Sequence, residues 1–132
     1  MLELQALVPY TDEDLDWTNE KSRVSVEHEQ KDTIEVELTQ ITMENWDDYD
    51  TVSIGYPIWW HEAAWPVNTF IRANDFTGKK VIPFCTSSAS DLGDSAKLLA
   101  QMAGTGEWLG GVRFPSSVTE DEVTEWLDSL AL

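Results

Sequence analysis

Basic residues are scarce in this chain. Eight Lys and Arg stand against 25 Asp and Glu in 132 residues, a formal net charge of −17. Nucleic-acid binding rests on Lys and Arg that displace counterions from phosphates, so nucleic acid and anionic membrane surfaces are poor partners. Long apolar runs are missing too. None approaches the roughly 20 residues of a membrane-spanning helix. Met1-Leu2-Glu3-Leu4 has neither the basic start nor the apolar stretch of a signal peptide. Cys85 is the only cysteine. It excludes an internal disulfide and an all-cysteine metal site, and together these points predict a cytoplasmic protein. His28 and His61 are the only histidines, without the ligand spacing of a zinc site. What is abundant is apolar and aromatic: hydrophobic residues make up 42%, with seven Trp. That suffices for a packed core and predicts one compact domain over residues 1–132.

The charge is uneven. Residues 1–50 hold fifteen acidic and three basic residues, against ten and five in 51–132. The first part reads as acidic and partly irregular, the second as regular. Val52-Ser53-Ile54-Gly55-Tyr56 is β-branched and aromatic, and reads as a buried strand stopping at Pro57. Pro66 can open a helix, followed by Val67, Phe70 and Ile71 at helical spacing. Lys80 to Cys85 gives a second strand, with a bulge or shortened ladder expected at Pro83. A helix over 94–103 ends at Gly104. Glu107 to Phe114 gives a third strand, weakened at Gly110-Gly111. Thr119 and Glu122 form a capping box for a helix over 119–130, with Val123, Trp126, Leu127 and Leu130 as its stripe. This alternation predicts parallel neighbouring strands with helices on their faces. Upstream, Val24, Val26 and His28, then Ile34, Val36 and Leu38, alternate with polar residues like an amphipathic hairpin. His28 reads as a surface residue.

In open parallel sheets ligands bind beyond the carboxyl ends of the strands. Two loops are placed there. Pro57-Ile58-Trp59-Trp60-His61-Glu62-Ala63-Ala64-Trp65 offers a stacking wall for a flat aromatic ligand, or packing for the core or a subunit interface. Thr86-Ser87-Ser88-Ala89-Ser90-Asp91 offers hydroxyls and backbone N–H groups, or an ordinary connection. Cys85 reads as a small core residue. Ser87 and Ser90 lack an activating base, so acyl transfer has no support.

The stretches YDTVSIGYPIWWHEAAWPVNTFI and DFTGKKVIPFCTSSASDLGDSAK resemble the flavodoxin-like family, as does DLDWTNEKSRVSVE upstream. The resemblance runs from about Leu4 to Leu130. It implies an α/β three-layer sandwich with a mostly parallel sheet, and FMN as cofactor. By that resemblance Pro57, Ile58, Trp59, Trp60 and His61 would meet the flavin on one side, and Thr86, Ser87, Ser88, Ala89 and Asp91 on the other. Trp59 or Trp60 would stack on the ring. The implied function is electron transfer or reduction of quinone-like acceptors. The acidic runs Asp12–Asp16 and Glu44–Asp50 would steer a basic redox partner.

The chain departs from the family's pattern at its start. Leu2 to Tyr10 matches the family's second strand and its exit, so the first strand, phosphate-binding loop and first helix are expected to be missing. No other Gly-rich strand-to-helix turn replaces that loop. Three or four lost charge-assisted hydrogen bonds, at about 1.5–3 kcal/mol each, imply roughly a thousandfold weaker FMN binding or more. The strand at Val52–Tyr56 would lack a neighbour, to be supplied by Leu2–Val8 or by a second subunit. A homodimer is therefore expected, with Trp59, Trp65 and Leu2–Val8 at the contact. The alternative is a module without flavin chemistry that only binds or oligomerises.

Overall fold

The structure, a computed structural model, describes residues 3–30, 35–87 and 92–130. In chain order the elements are α1 (Arg23–Glu29), β1 (Thr51–Trp59), β2 (Glu62–Ala63), α2 (Pro66–Ala73), β3 (Lys80–Ser87), α3 (Ser95–Ala103), β4 (Glu107–Trp108), β5 (Val112–Pro115) and α4 (Glu120–Ser129). β1, β3 and the β4/β5 pair run parallel and lie side by side, and β2 turns back antiparallel on the far side of β1. The fold is thus α/β with an open, mostly parallel sheet, as the alternation of elements predicts.

Two prolines show how the sheet tolerates missing donors. Successive residues of a strand turn their backbone groups to opposite edges. Asp50 O accepts from Lys80 N, so the even-numbered residues of β1 face β3. Pro57 is odd and faces the other edge, where its carbonyl accepts from Ala64 N at 3.0 Å. Its missing N–H falls on that same outer edge and costs the β1–β3 ladder nothing, so β1 continues past it to Trp59, beyond the expected stop. Pro83 faces away from β1 too. Val81 O accepts from Leu109 N at 2.8 Å. The next rung on that side would need the absent Pro83 N–H. The expected break falls there, but on the partner strand: the expected third strand splits into β4 and β5 around Gly110-Gly111. A Cβ on Gly111 would lie 2.3 Å from the Pro83 carbonyl oxygen, so the chain passes too close for any other residue. The β1–β3 register from Thr51↔Lys80 to Pro57↔Thr86 is uninterrupted.

One face of the sheet buries Ile54, Tyr56, Val81 and Cys85 against Val67, Phe70 and Ile71 of α2 and Leu99 of α3. Each such side chain contributes about 1.5–3 kcal/mol by leaving water. α2 starts at Pro66, and α3 ends on Gly104 at φ 69°, the left-handed conformation suited to glycine. On the other face α4 sets Trp126 edge-on to Phe84 and Phe114, with centroids at 5.9 and 5.5 Å. The Thr119 hydroxyl accepts from Glu122 N at 3.2 Å, as the capping box requires.

The upstream part departs from expectation. Residues 23–29 are helix, not the first strand of a hairpin, and residues 31–34, the end of the turn expected at 29–32 and the start of the second strand, lie outside the described residues. The helix forms because Val24, Glu27 and His28 at i, i+3 and i+4 turn to one side, where Val24 and Glu27 are buried. Ser22 caps it by accepting from Ser25 N. The first segment does not pair with β1. Ala6 bridges Leu38 in antiparallel fashion, with Leu7 N donating to Glu37 O at 2.7 Å and Thr39 N to Gln5 O at 2.8 Å. Among the described residues no strand pairs with the outer edge of β1 from Thr51 to Pro57.

Candidate functional site

The Pro57↔Thr86 pairing sets the two sequence-predicted loops side by side at the carboxyl end of the sheet. The first is not an irregular loop. β1 and β2 form a hairpin with Trp59 opposite Glu62, and Trp60 and His61 make its two-residue turn. Both adopt left-handed backbone, at φ 48° and 65°. Such turns favour Asn-Gly, and each side chain held there costs about 1 kcal/mol or more. The hairpin therefore spends stability on presenting an indole and an imidazole at its tip.

Those rings are held by a cluster. Trp60 stacks on His28 of α1, centroids 4.3 Å apart and planes 9° from parallel. It lies 5.8 Å from Trp65. Trp59 meets Trp65 edge-on at 4.8 Å and Tyr10 at 5.4 Å. Trp65 is buried at 2% exposure, so it packs the core and is no dimer contact. His28 is half-buried against an indole, not a surface residue. Trp59 and Trp60 stay half-exposed, and His61 is exposed.

Beneath the rings sits a buried carboxylate. Glu27 accepts from Tyr10 Oη at 2.6 Å, from Trp65 Nε1 at 3.1 Å and from Arg23 Nε at 3.2 Å. Arg23 also donates to Val8 O at 2.7 Å and lies 3.8 Å above the Tyr10 ring. Burial, then the neighbouring Glu27 carboxylate, push the Tyr10 hydroxyl well above the usual phenol range. Tyr10 is therefore a neutral donor at ordinary pH. Sequence reading missed Tyr10, Arg23 and Glu27, because isolated polar residues in an acidic region carry no spacing signal.

On the second side Thr86 and Ser87 end β3, both half-buried. Arg113 of β5 donates from Nε to Ser87 Oγ at 3.1 Å and from Nη2 to Ser87 O at 2.8 Å. Arg113 was not singled out by sequence either; its alignment beside Cys85 in β5 brings it there. Ser88, Ala89 and Asp91 lie outside the described residues. Pro57 is exposed at the rim and Ile58 packs toward the core. Cys85 is fully buried in the core, as expected of a small apolar residue. Among the described residues no group of His, Cys, Asp and Glu is arranged to hold a metal ion. None of their helices is long and apolar enough to cross a membrane.

A half-exposed indole, Trp60, beside backbone and hydroxyl groups fits a flavin ring. A phosphate is less well served: of the bordering guanidinium groups, Arg23 is engaged by Glu27 and Val8, and Arg113 by Ser87.

Comparison with known proteins gives the class. A family model described as flavodoxin matches residues 1–130. The chain belongs to the flavodoxin family. A crystal structure of a candidate flavoprotein from Bacteroides eggerthii is 38% identical, with a TM-score of 0.81 over 97% of this chain and 79% of that one. A candidate flavoprotein from Bacteroides uniformis is 36% identical, with a TM-score of 0.82 over 96% of this chain and 79% of that one. A Lactobacillus acidophilus flavoprotein in complex with FMN shares the fold at 21% identity, with a TM-score of 0.53 over 77% of this chain and 64% of that one. No curated protein matches.

Proposed function

We propose that this chain binds a flavin, FMN in the first place, and serves in electron transfer or in the reduction of quinone-like acceptors. The observation that carries the reading is the Pro57↔Thr86 register, which puts the Trp59–Trp60 wall beside Thr86–Ser87 in a member of the flavodoxin family. The FMN held by the Lactobacillus acidophilus flavoprotein supports the choice of ligand. The flavin supplies the redox chemistry when bound. This chain's residues hold and orient it: Trp60 stacks, Trp59 borders, and the Thr86–Ser87 backbone meets the polar edge. Pro57, Ile58 and His61 are assigned to the near side, and Ser88, Ala89 and Asp91, which lie outside the described residues, to the far side. The net charge of −17 suits a basic redox partner and opposes the FMN phosphate. With both bordering guanidinium groups engaged, the ring carries more of the affinity than the phosphate does. The outer edge of β1, without a strand partner among the described residues from Thr51 to Tyr56, supports a homodimer.

Titration with FMN and with riboflavin, read by flavin fluorescence, tests this. Protein purified without added flavin is expected to be colourless or partly loaded, with similar affinity for both ligands. Trp60→Ala is expected to weaken both equally, because stacking ignores the phosphate. Stoichiometric yellow protein that survives dialysis would overturn the weak phosphate grip. No binding of either flavin would overturn the flavin reading and leave a module that only binds or associates.

A further inference from the structure

The geometry points to His28 as a positioning residue for Trp60: α1 backs the strained hairpin tip and fixes the plane that the indole presents to a ligand. This rests on the flavin reading for its ligand, but on separate observations for the device itself. The first is the stack, with ring centroids 4.3 Å apart and planes within 9° of parallel. The second is the turn. Trp60 and His61 both hold left-handed backbone, which side-chain-bearing residues keep only where surrounding contacts over-determine it. Trp60 has two such contacts among the described rings, His28 and Trp65.

The third observation is that α1 is anchored independently of His28. Val24 is buried at 2% exposure beside Val36 and Trp65. Glu27, one residue before His28, is tied to Tyr10, Trp65 and Arg23. An imidazole on such a helix is a fixed backstop. Its direction also fits. β2 lies on one side of β1 and β3 on the other. α1 reaches the tip through Trp65, just past β2, whereas Thr86–Ser87 ends β3. His28 thus covers one face of the indole at 4.3 Å, and the opposite face is the one proposed for a flat ligand.

His28→Ala, His28→Phe and the unchanged protein are compared by two measurements. Near-ultraviolet circular dichroism of the flavin-free protein reads the packing of the indoles. Riboflavin titration reads the site and leaves out the phosphate. His28→Ala is expected to diminish the aromatic dichroism at unchanged far-ultraviolet signal. It should weaken riboflavin by about three- to tenfold, the fold-change that matches the cost of freeing a side chain from its rotamer well. His28→Phe, which keeps a flat ring, should restore both. An unaltered dichroism spectrum in His28→Ala would overturn the proposal. Tighter riboflavin binding in His28→Ala would overturn it as well, because the imidazole would then occupy the ligand's own place. If the unchanged protein binds no riboflavin, the flavin reading fails, and the dichroism alone decides whether His28 holds the indole. If a helical His28→Ala were too unstable to purify, His28→Gln, which keeps length and polarity without a ring, gives the same two readouts.

Discussion

At the scale of single residues, the close approaches in the sheet are unforgiving. A Cβ on Gly55 would lie 2.2 Å from Cζ of Phe84, whose ring covers the glycine. Gly55→Ala must push that ring off its edge-on contacts with Phe114 and Trp126. It is expected to lose about 1–3 kcal/mol in urea denaturation, the usual cost of overpacking. Tyr56 makes a different point. It is buried beside Ser95, hydroxyl oxygens 2.8 Å apart, and burial raises its hydroxyl from 10.0 to about 12. The folded state keeps this proton while the unfolded chain releases it, so the contribution is complete below about pH 10. It is lost as pH climbs from there to about 12. Tyr10 acts in the same sense. Stability measured at pH 9 and pH 11 should therefore fall, and Tyr56→Phe should fall less steeply between the two.

At the scale of elements, the regular part was legible and α1 was not. The helices at Pro66–Ala73, Ser95–Ala103 and Glu120–Ser129 match their sequence signals within a residue or two, because Pro66, Gly104 and Thr119 mark ends that backbone geometry makes necessary. The parallel strands were legible from β-branched runs. α1 was hidden by its own buried position: Glu27 sits where a helix stripe normally carries an apolar residue, so Val24, Val26 and His28 read as alternation. The aromatic wall could be read from Trp59 and Trp60, but its supports come from distant, unpatterned residues: Tyr10, Arg23, His28 and Arg113. Fold periodicity betrays neighbours on one element, not partners across elements. Glu27→Ala tests how far α1 depends on that carboxylate. It leaves the Tyr10 hydroxyl and the Trp65 N–H without their shared acceptor and takes one partner from Arg23, which keeps Val8 O. A loss of about 3 kcal/mol is expected from breaking such a buried charged network. Native-state hydrogen exchange should show α1 opening first.

At the scale of the whole molecule, the sheet stops short on one side. From Thr51 to Pro57 the outer edge of β1 has no strand partner among the described residues. Exposed ladder edges recruit other strands. Pro57 limits the run, since it has no N–H to offer. Pairing of two copies across this edge is opposed by a charge of −17 on each. Association measured by light scattering at micromolar protein is therefore expected to strengthen with salt, which shortens the reach of like-charge repulsion. A 14.9 kDa mass at all salt concentrations would refute the dimer. The hairpin tip, finally, gives the molecule a built-in conflict between durability and use. Asn-Gly at positions 60 and 61 would relax the backbone that Trp60 and His61 strain. A chain carrying both changes should melt at a higher temperature and yet bind flavin more weakly. Its gain in melting temperature measures how much durability the native tip gives up to keep an indole in place.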